Sequence, residues 1–217
     1  MTANMINHSA SALGGDPGGL RRAGFLPETF LPVPTLGSHL IKNGVEAHAF
    51  QHYSIARSGL SMMLMPDVEN HAYLTMSDMW VTLSDLISKK PDQKMYINVY
   101  WPDLDLLEHR FSPQDRRTLL EFVQFSRQLE SILGVITANS KGDNLLLICA
   151  DHGQISTPYQ PRYNLVDHAK LTDMLTIMPT CENRLAFLYT RSGTEKALKA
   201  YIKKNWGDDF QVISSVQ

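Results

Sequence analysis

The chain is short of cysteine, of net charge and of long apolar runs. Two of its 217 residues are cysteine, Cys149 and Cys181, each beside an apolar segment. So few thiols exclude a disulfide-stapled framework and fit a reducing, cytoplasmic compartment. A net charge of -2 with histidine neutral supplies no basic field for nucleic acid and no polybasic patch for anionic membranes. No apolar run approaches the roughly 20 residues of a membrane span. The opening, MTANMINHSA, has neither the basic nor the apolar zone of a secretory signal. What the chain does have is 43% hydrophobic residues, enough for a packed core rather than disorder. With no internal repeat and no low-complexity segment, residues 1–217 read as a single domain.

Glycine and proline crowd the front of that domain. "GGDPGG" and "LPETFLPVP" forbid long regular elements, so the first 34 residues read as loop. The spacing then predicts a short helix over 35–42, capped by Thr35 and stopped at Gly44, and a strand over 45–50. Residues 54–70, rich in serine and methionine, read as irregular, and Met62, Met63 and Met65 read as packing fillers. Ser77 opens a predicted helix over 76–89, in which Met79, Trp80, Leu83, Leu86 and Ile87 recur at helical spacing. "MYINVY", 95–100, reads as a strand. Ser112 and Pro113 open a long helix with a stripe of Leu119, Leu120, Val123, Leu129, Ile132 and Leu133. Further along, 145–149 predicts a strand, 169–175 a helix, 185–189 a strand, 194–206 a lysine-rich amphipathic helix and 210–213 a last short strand. Strands alternating with helices give an α/β layered fold with a largely parallel central sheet. Ligands of such folds bind beyond the carboxyl ends of the strands.

Two stretches stand at such ends. In "YWPDLDLLEHRFSP", Asp105 and His109 are four apart, which on a helical turn places a carboxylate and an imidazole on one face. Asp103 and Glu108 are rival carboxylates that read as solvent-facing or as partners of Arg110 and Arg116. In "LLLICADHGQI", an apolar run delivers Asp151 and His152, and Gly153 allows the turn that brings both around one ion. Oxygen and imidazole donors suit zinc, and also manganese. Two half-filled sites at neighbouring strand ends are the plan of a two-metal hydrolase, in which paired cations clamp an in-line displacement at phosphorus.

The order D-x-x-x-H, long helix, strand, D-H-G resembles the type I phosphodiesterase/nucleotide pyrophosphatase family of the alkaline phosphatase superfamily. "YWPDLDLLEHRFSP" is similar to the family's Tyr-x-x-x-x-Asp-x-x-x-His-x-x-Gly-Pro segment, with Ser112 where glycine is common. "ICADHGQI" is similar to its Asp-His-Gly strand end, and "LPETFLPVPTLGSHLIKNGV" to the stretch before its middle strand. The resemblance implies two divalent metal ions, zinc or alternatively manganese. Asp105 and His109, with a further histidine from late in the domain, would hold one. Asp151 and His152, with an aspartate and a threonine or serine nucleophile from early in the domain, would hold the other. It implies hydrolysis of a small phosphate ester or nucleotide, the nucleophile taking the phosphoryl group before water releases it.

The sequence departs from that plan at both ends. No strand ending in Asp precedes Asp105; the earlier acids Asp16, Glu28, Glu46 and Asp67 have loop, helix or strand-start contexts. The family's first strand and nucleophile turn are expected upstream of Met1, and Thr2, Ser9 and Ser11 are not assigned that role. The last histidine, His168, reads as part of a helix start capped by Asp167. Of the rest, His39 and His48 read as core or surface residues, and His52 and His71 as loop residues able to line a substrate mouth. The expectation is an incomplete phosphodiesterase-type domain with half of each metal site. The rivals are a sulfatase, phosphonoacetate hydrolase or phosphoglycerate mutase branch of the superfamily, and a non-catalytic binding or scaffold domain.

Overall fold

A computed structural model describes residues 3–4, 7–10, 16, 18–139, 144–182 and 185–215. Thr2 and Ser11 lie outside them. The chain falls into two compact units, residues 1–156 and 157–217.

The first unit opens with a two-residue antiparallel pair, β1 (Ala3–Asn4) and β2 (Ser9–Ala10), followed by the single-turn helices α1 (Gly19–Arg22) and α2 (Pro27–Phe30). Helix α3 (Leu36–Lys42) leads to strand β3 (Glu46–His52) through Gly44, whose φ of 70° only glycine adopts without strain. Then come α4 (Gly59–Leu64), β4 (Glu69–Tyr73), α5 (Met76–Lys89), β5 (Met95–Val99), α6 (Asp103–Phe111) and α7 (Arg116–Asn139).

The fold is α/β: a three-stranded parallel sheet, order β4-β3-β5, flanked by helices. The central strand β3 is buried through most of its length, as expected where both faces of a parallel strand are covered. One face of the sheet carries Phe50, Tyr73, Ile97 and Val99 into a core with Met79, Trp80 and Leu83 of α5 and Phe125, Leu129 and Ile132 of α7. Alternation along β3 puts Glu46, His48 and His52 on this same face, while Ala47, Ala49 and Gln51 take the other.

Several elements differ from the sequence reading. Thr75, not Ser77, caps α5; its hydroxyl accepts from the Asp78 amide. The segment read as irregular, 54–70, contains α4, capped by Ser58, and the start of β4. His71 is therefore a sheet residue, and His52 ends strand β3, its ring bonded to the Ser54 hydroxyl. The long helix starts later than Ser112: that residue ends the separate helix α6 at a φ of 118°, and α7 opens at Arg116, where Asp115 accepts from the Arg117 amide. Its inward face runs through Thr118, Phe125, Leu129, Ile132 and Ile136, leaving Leu119 and Leu120 exposed. Glu121 falls on the inward side by spacing. Burial, then the charge of Asp103, raises its pKa.

The largest departure is 145–150. This run forms no ladder, and Leu145, Leu146, Leu147 and Ile148 are exposed. An apolar run becomes a strand only when a neighbour takes up its amides and carbonyls, and no described strand does so here.

The second unit contains α8 (Ala169–Thr172), an antiparallel pair of β6 (Thr180–Glu182) and β7 (Leu185–Phe187), and α9 (Glu195–Trp206). Helix α8 is shorter than predicted, and 210–213 forms no strand. The unit closes a core of its own from Leu171, Leu175, Leu198, Ile202 and Trp206. His168 packs on Trp206, its ring bonded to the Tyr201 hydroxyl and the Arg162 carbonyl, so it is a satisfied structural histidine.

Candidate metal centres

Strand β5 extends its ladder to Tyr100, whose amide donates to the Phe50 carbonyl, and three residues later the chain enters α6. Asp103 and Asp105 lie in the first turn of α6, where the helix dipole favours carboxylates, and His109 and Arg110 in the last, where it favours cations. Asp105 and His109 share a face, with Nε2 3.4 Å from Oδ1. Asp103 turns away to accept a hydrogen bond from the Trp101 indole, and Trp101 stacks on Phe125. That anchors the head of α6 to α7 and leaves Asp105 as the carboxylate paired with His109.

The D-H-G turn lies at the same strand end. Gln154 donates to Asp105 Oδ1 at 2.6 Å, which brings the stretch after His152 against α6. Three residues of extended chain reach at most about 11 Å, so Asp151 is held near Asp105. The Tyr100 hydroxyl registers both: its pKa is raised first by burial, then by the charges of Asp105 and Asp151. Within the turn, His152 Nε2 is 3.6 Å from Asp151 Oδ2, and the His152 amide donates back to Asp151 Oδ1. All four side chains are open to solvent, with Asp151 85% exposed. Gln154 is the residue of this site that the sequence reading missed, and nothing local in the sequence marks it.

These pairs fit a divalent ion as far as they go. Donors on a tetrahedral zinc with bonds of about 2.0–2.1 Å stand about 3.3–3.4 Å apart. The carboxylate–imidazole separations of 3.4 and 3.6 Å lie close to that edge. Each pair supplies two donors. Ser9, the one described candidate for a nucleophile, is buried and donates to Asn7 Oδ1 at 2.7 Å, with no contact to either pair.

A second cluster lies at the amino end of the sheet. Register places His48 beside Glu69 and Phe50 beside His71. His48 Nδ1 is 3.1 Å from His71 Nε2 and 3.4 Å from Glu69 Oε2, and His71 Nε2 is 3.9 Å from Glu69 Oε1. The other ring nitrogen of His48 faces Glu46 Oε2 at 3.3 Å. Lys90, just past α5, donates to that same Glu46 oxygen at 2.6 Å. That hydrogen bond holds the Glu46 carboxyl below its usual range and pushes Lys90 up. Burial lowers the pKa of His71, against the opposing pull of Glu69. His48 is 1% exposed and His71 stacks on Phe50, while Glu69 opens to solvent. From sequence, His48 reads as a core or surface strand residue and His71 as a loop residue able to line a substrate mouth, because β4 does not read as a strand.

No family model, curated protein or solved structure matches this chain.

Proposed function

We propose that the chain is a metal-dependent hydrolase of phosphodiester or nucleotide pyrophosphate bonds, working at the carboxyl end of β5. The observation that carries this reading is the Gln154–Asp105 hydrogen bond, which draws the D-H-G turn to the D-x-x-x-H helix. Asp105 with His109 would hold one divalent ion and Asp151 with His152 the other, zinc being favoured by the donor set and manganese tolerated. Bound there, the ions would supply Lewis-acid polarisation of phosphoryl oxygens and charge neutralisation in the transition state.

The chain's own groups prepare that work. Gln154 orients the Asp105 carboxylate, and the His152 amide orients Asp151. Burial, then the charges of Asp105 and Asp151, raise the Tyr100 pKa, so it presents a neutral hydroxyl near the site. Small phosphate esters or nucleotides are the substrate class, since the donors are local and no basic field for a polymer is present. The two free, exposed cysteines favour a reducing, cytoplasmic setting.

Added zinc or manganese is expected to accelerate hydrolysis of bis-nitrophenyl phosphate. Two donors per ion keep turnover well below the roughly 1–10³ per second of ordinary enzymes. Asp105→Asn and Asp151→Asn are each expected to remove the metal-dependent rate. Metal-dependent rates that are equal in parent and variants, or absent from the parent, reject the reading in favour of a binding or scaffold role.

A further inference from the structure

We propose that His48, Glu69 and His71 form a separate zinc site at the amino end of the sheet. His48 Nδ1 stands 3.1 Å from His71 Nε2, and Glu69 approaches the two rings with different oxygens, Oε2 3.4 Å from His48 Nδ1 and Oε1 3.9 Å from His71 Nε2, separations near the roughly 3.3–3.4 Å between donors on a tetrahedral zinc. One donor atom from each of the three residues lies within 4.8 Å of the others.

The surroundings are built for a ligand histidine. A metal-binding imidazole usually donates its second N–H to a carboxylate, which fixes the tautomer and raises ligand basicity. His48 has that partner in Glu46, 3.3 Å from Nε2, and Glu46 is itself pinned by Lys90. With the proton on Nε2, Nδ1 turns its lone pair toward His71 and Glu69. Burial adds a second argument. His48 is 1% exposed, so its orientation is set by packing before any ion arrives. Lys90, the cation facing the cluster, is already neutralised by Glu46.

Two imidazoles and one carboxylate leave a fourth position open on the exposed Glu69 side, as in zinc sites that admit water or a small ligand. The imidazoles select against magnesium and calcium, which take oxygen ligands. This site is independent of the carboxyl-end pairs: it uses none of their residues and lies at the opposite ends of the strands.

The test removes the other candidates first. In a chain carrying Asp105→Asn, His109→Ala, Asp151→Asn and His152→Ala, cobalt(II) is titrated as a spectroscopic probe of tetrahedral sites. The expected result is one cobalt per chain with the intense visible absorption of tetrahedral geometry, displaced by zinc and not by magnesium. Adding His71→Ala should abolish the spectrum, and Glu69→Gln should weaken binding. Glu69 is exposed, so its substitution separates ligand loss from misfolding. Glu46→Gln should lower affinity by about 10–100-fold without changing the spectrum's shape. No cobalt bound in the four-site variant, or binding indifferent to both His71→Ala and Glu69→Gln, overturns the proposal.

Discussion

His8 carries the sharpest residue-scale consequence. Its ring is fully buried, neither nitrogen has a hydrogen-bond partner, and it stands edge-on to Phe25. Gly59 allows that placement: a Cβ there would lie 2.4 Å from the imidazole, so the backbone at the start of α4 rests directly on the ring. Burial, then the Arg21 guanidinium, lowers the His8 pKa, so the folded chain holds the ring neutral. The unfolded chain protonates it at its ordinary value of about 6.5. Below that pH the unfolded state binds the extra proton and the folded state does not, so stability is full above about pH 6.5 and declines as pH falls toward the depressed folded value. Urea midpoints at a series of pH values check this. His8→Phe keeps an aromatic against Phe25 and should flatten the decline. The slope is the readout, whatever the substitution does to the absolute midpoint.

At the scale of elements, the contrast between α5 and the run 145–150 shows what pattern alone can reach. Helix α5 was legible because Met79, Trp80 and Leu83 repeat on one face and all three are buried in the same core. Strands β3 and β5 were legible as short segments between breakers. Strand β4, "ENHAY", was not: it is polar, lies at a sheet edge, and becomes a strand through its register with β3. The candidate sites divide the same way. Asp105 and His109 could be read because helical spacing is local. The grouping of His48 with Glu69 and His71 could not, since it depends on which strands are neighbours. The run 145–150 fails in the other direction, being strand-like in composition and without a ladder to any described strand. A six-residue apolar stretch with no proline and no charge, held in the open, is an aggregation hazard. Leu147 is 73% exposed, so Leu147→Lys should change stability by less than about 0.5 kcal/mol while slowing concentration-dependent aggregation. Light scattering over time, beside a thermal melt, measures both halves. Unchanged aggregation would mean the run is covered in solution.

At the scale of the whole molecule, the two compact units each close a core from their own residues. The smaller, 157–217, has about 60 residues, a size at which total stability is only about 3–9 kcal/mol. Its core gathers on Trp206. That indole shares a buried cluster with Leu171, Leu175, Leu198 and Ile202, meets His168 and Tyr163 edge-on, and donates to the Arg162 carbonyl at 3.1 Å. Removing a buried tryptophan typically costs about 3–5 kcal/mol, comparable with all that a unit of this size possesses. Trp206→Ala should therefore unfold α8 and α9 at ordinary temperatures. The sheet and α5 draw their burial from Phe50, Tyr73, Met79, Trp80 and Leu83, none of which the substitution touches. Amide hydrogen exchange resolves the two regions. Protection should vanish across 195–206 and persist across 46–52 and 76–89. Loss of protection in both regions together would show that the chain folds as one cooperative body, and that the sheet bearing both candidate metal centres depends on the second unit.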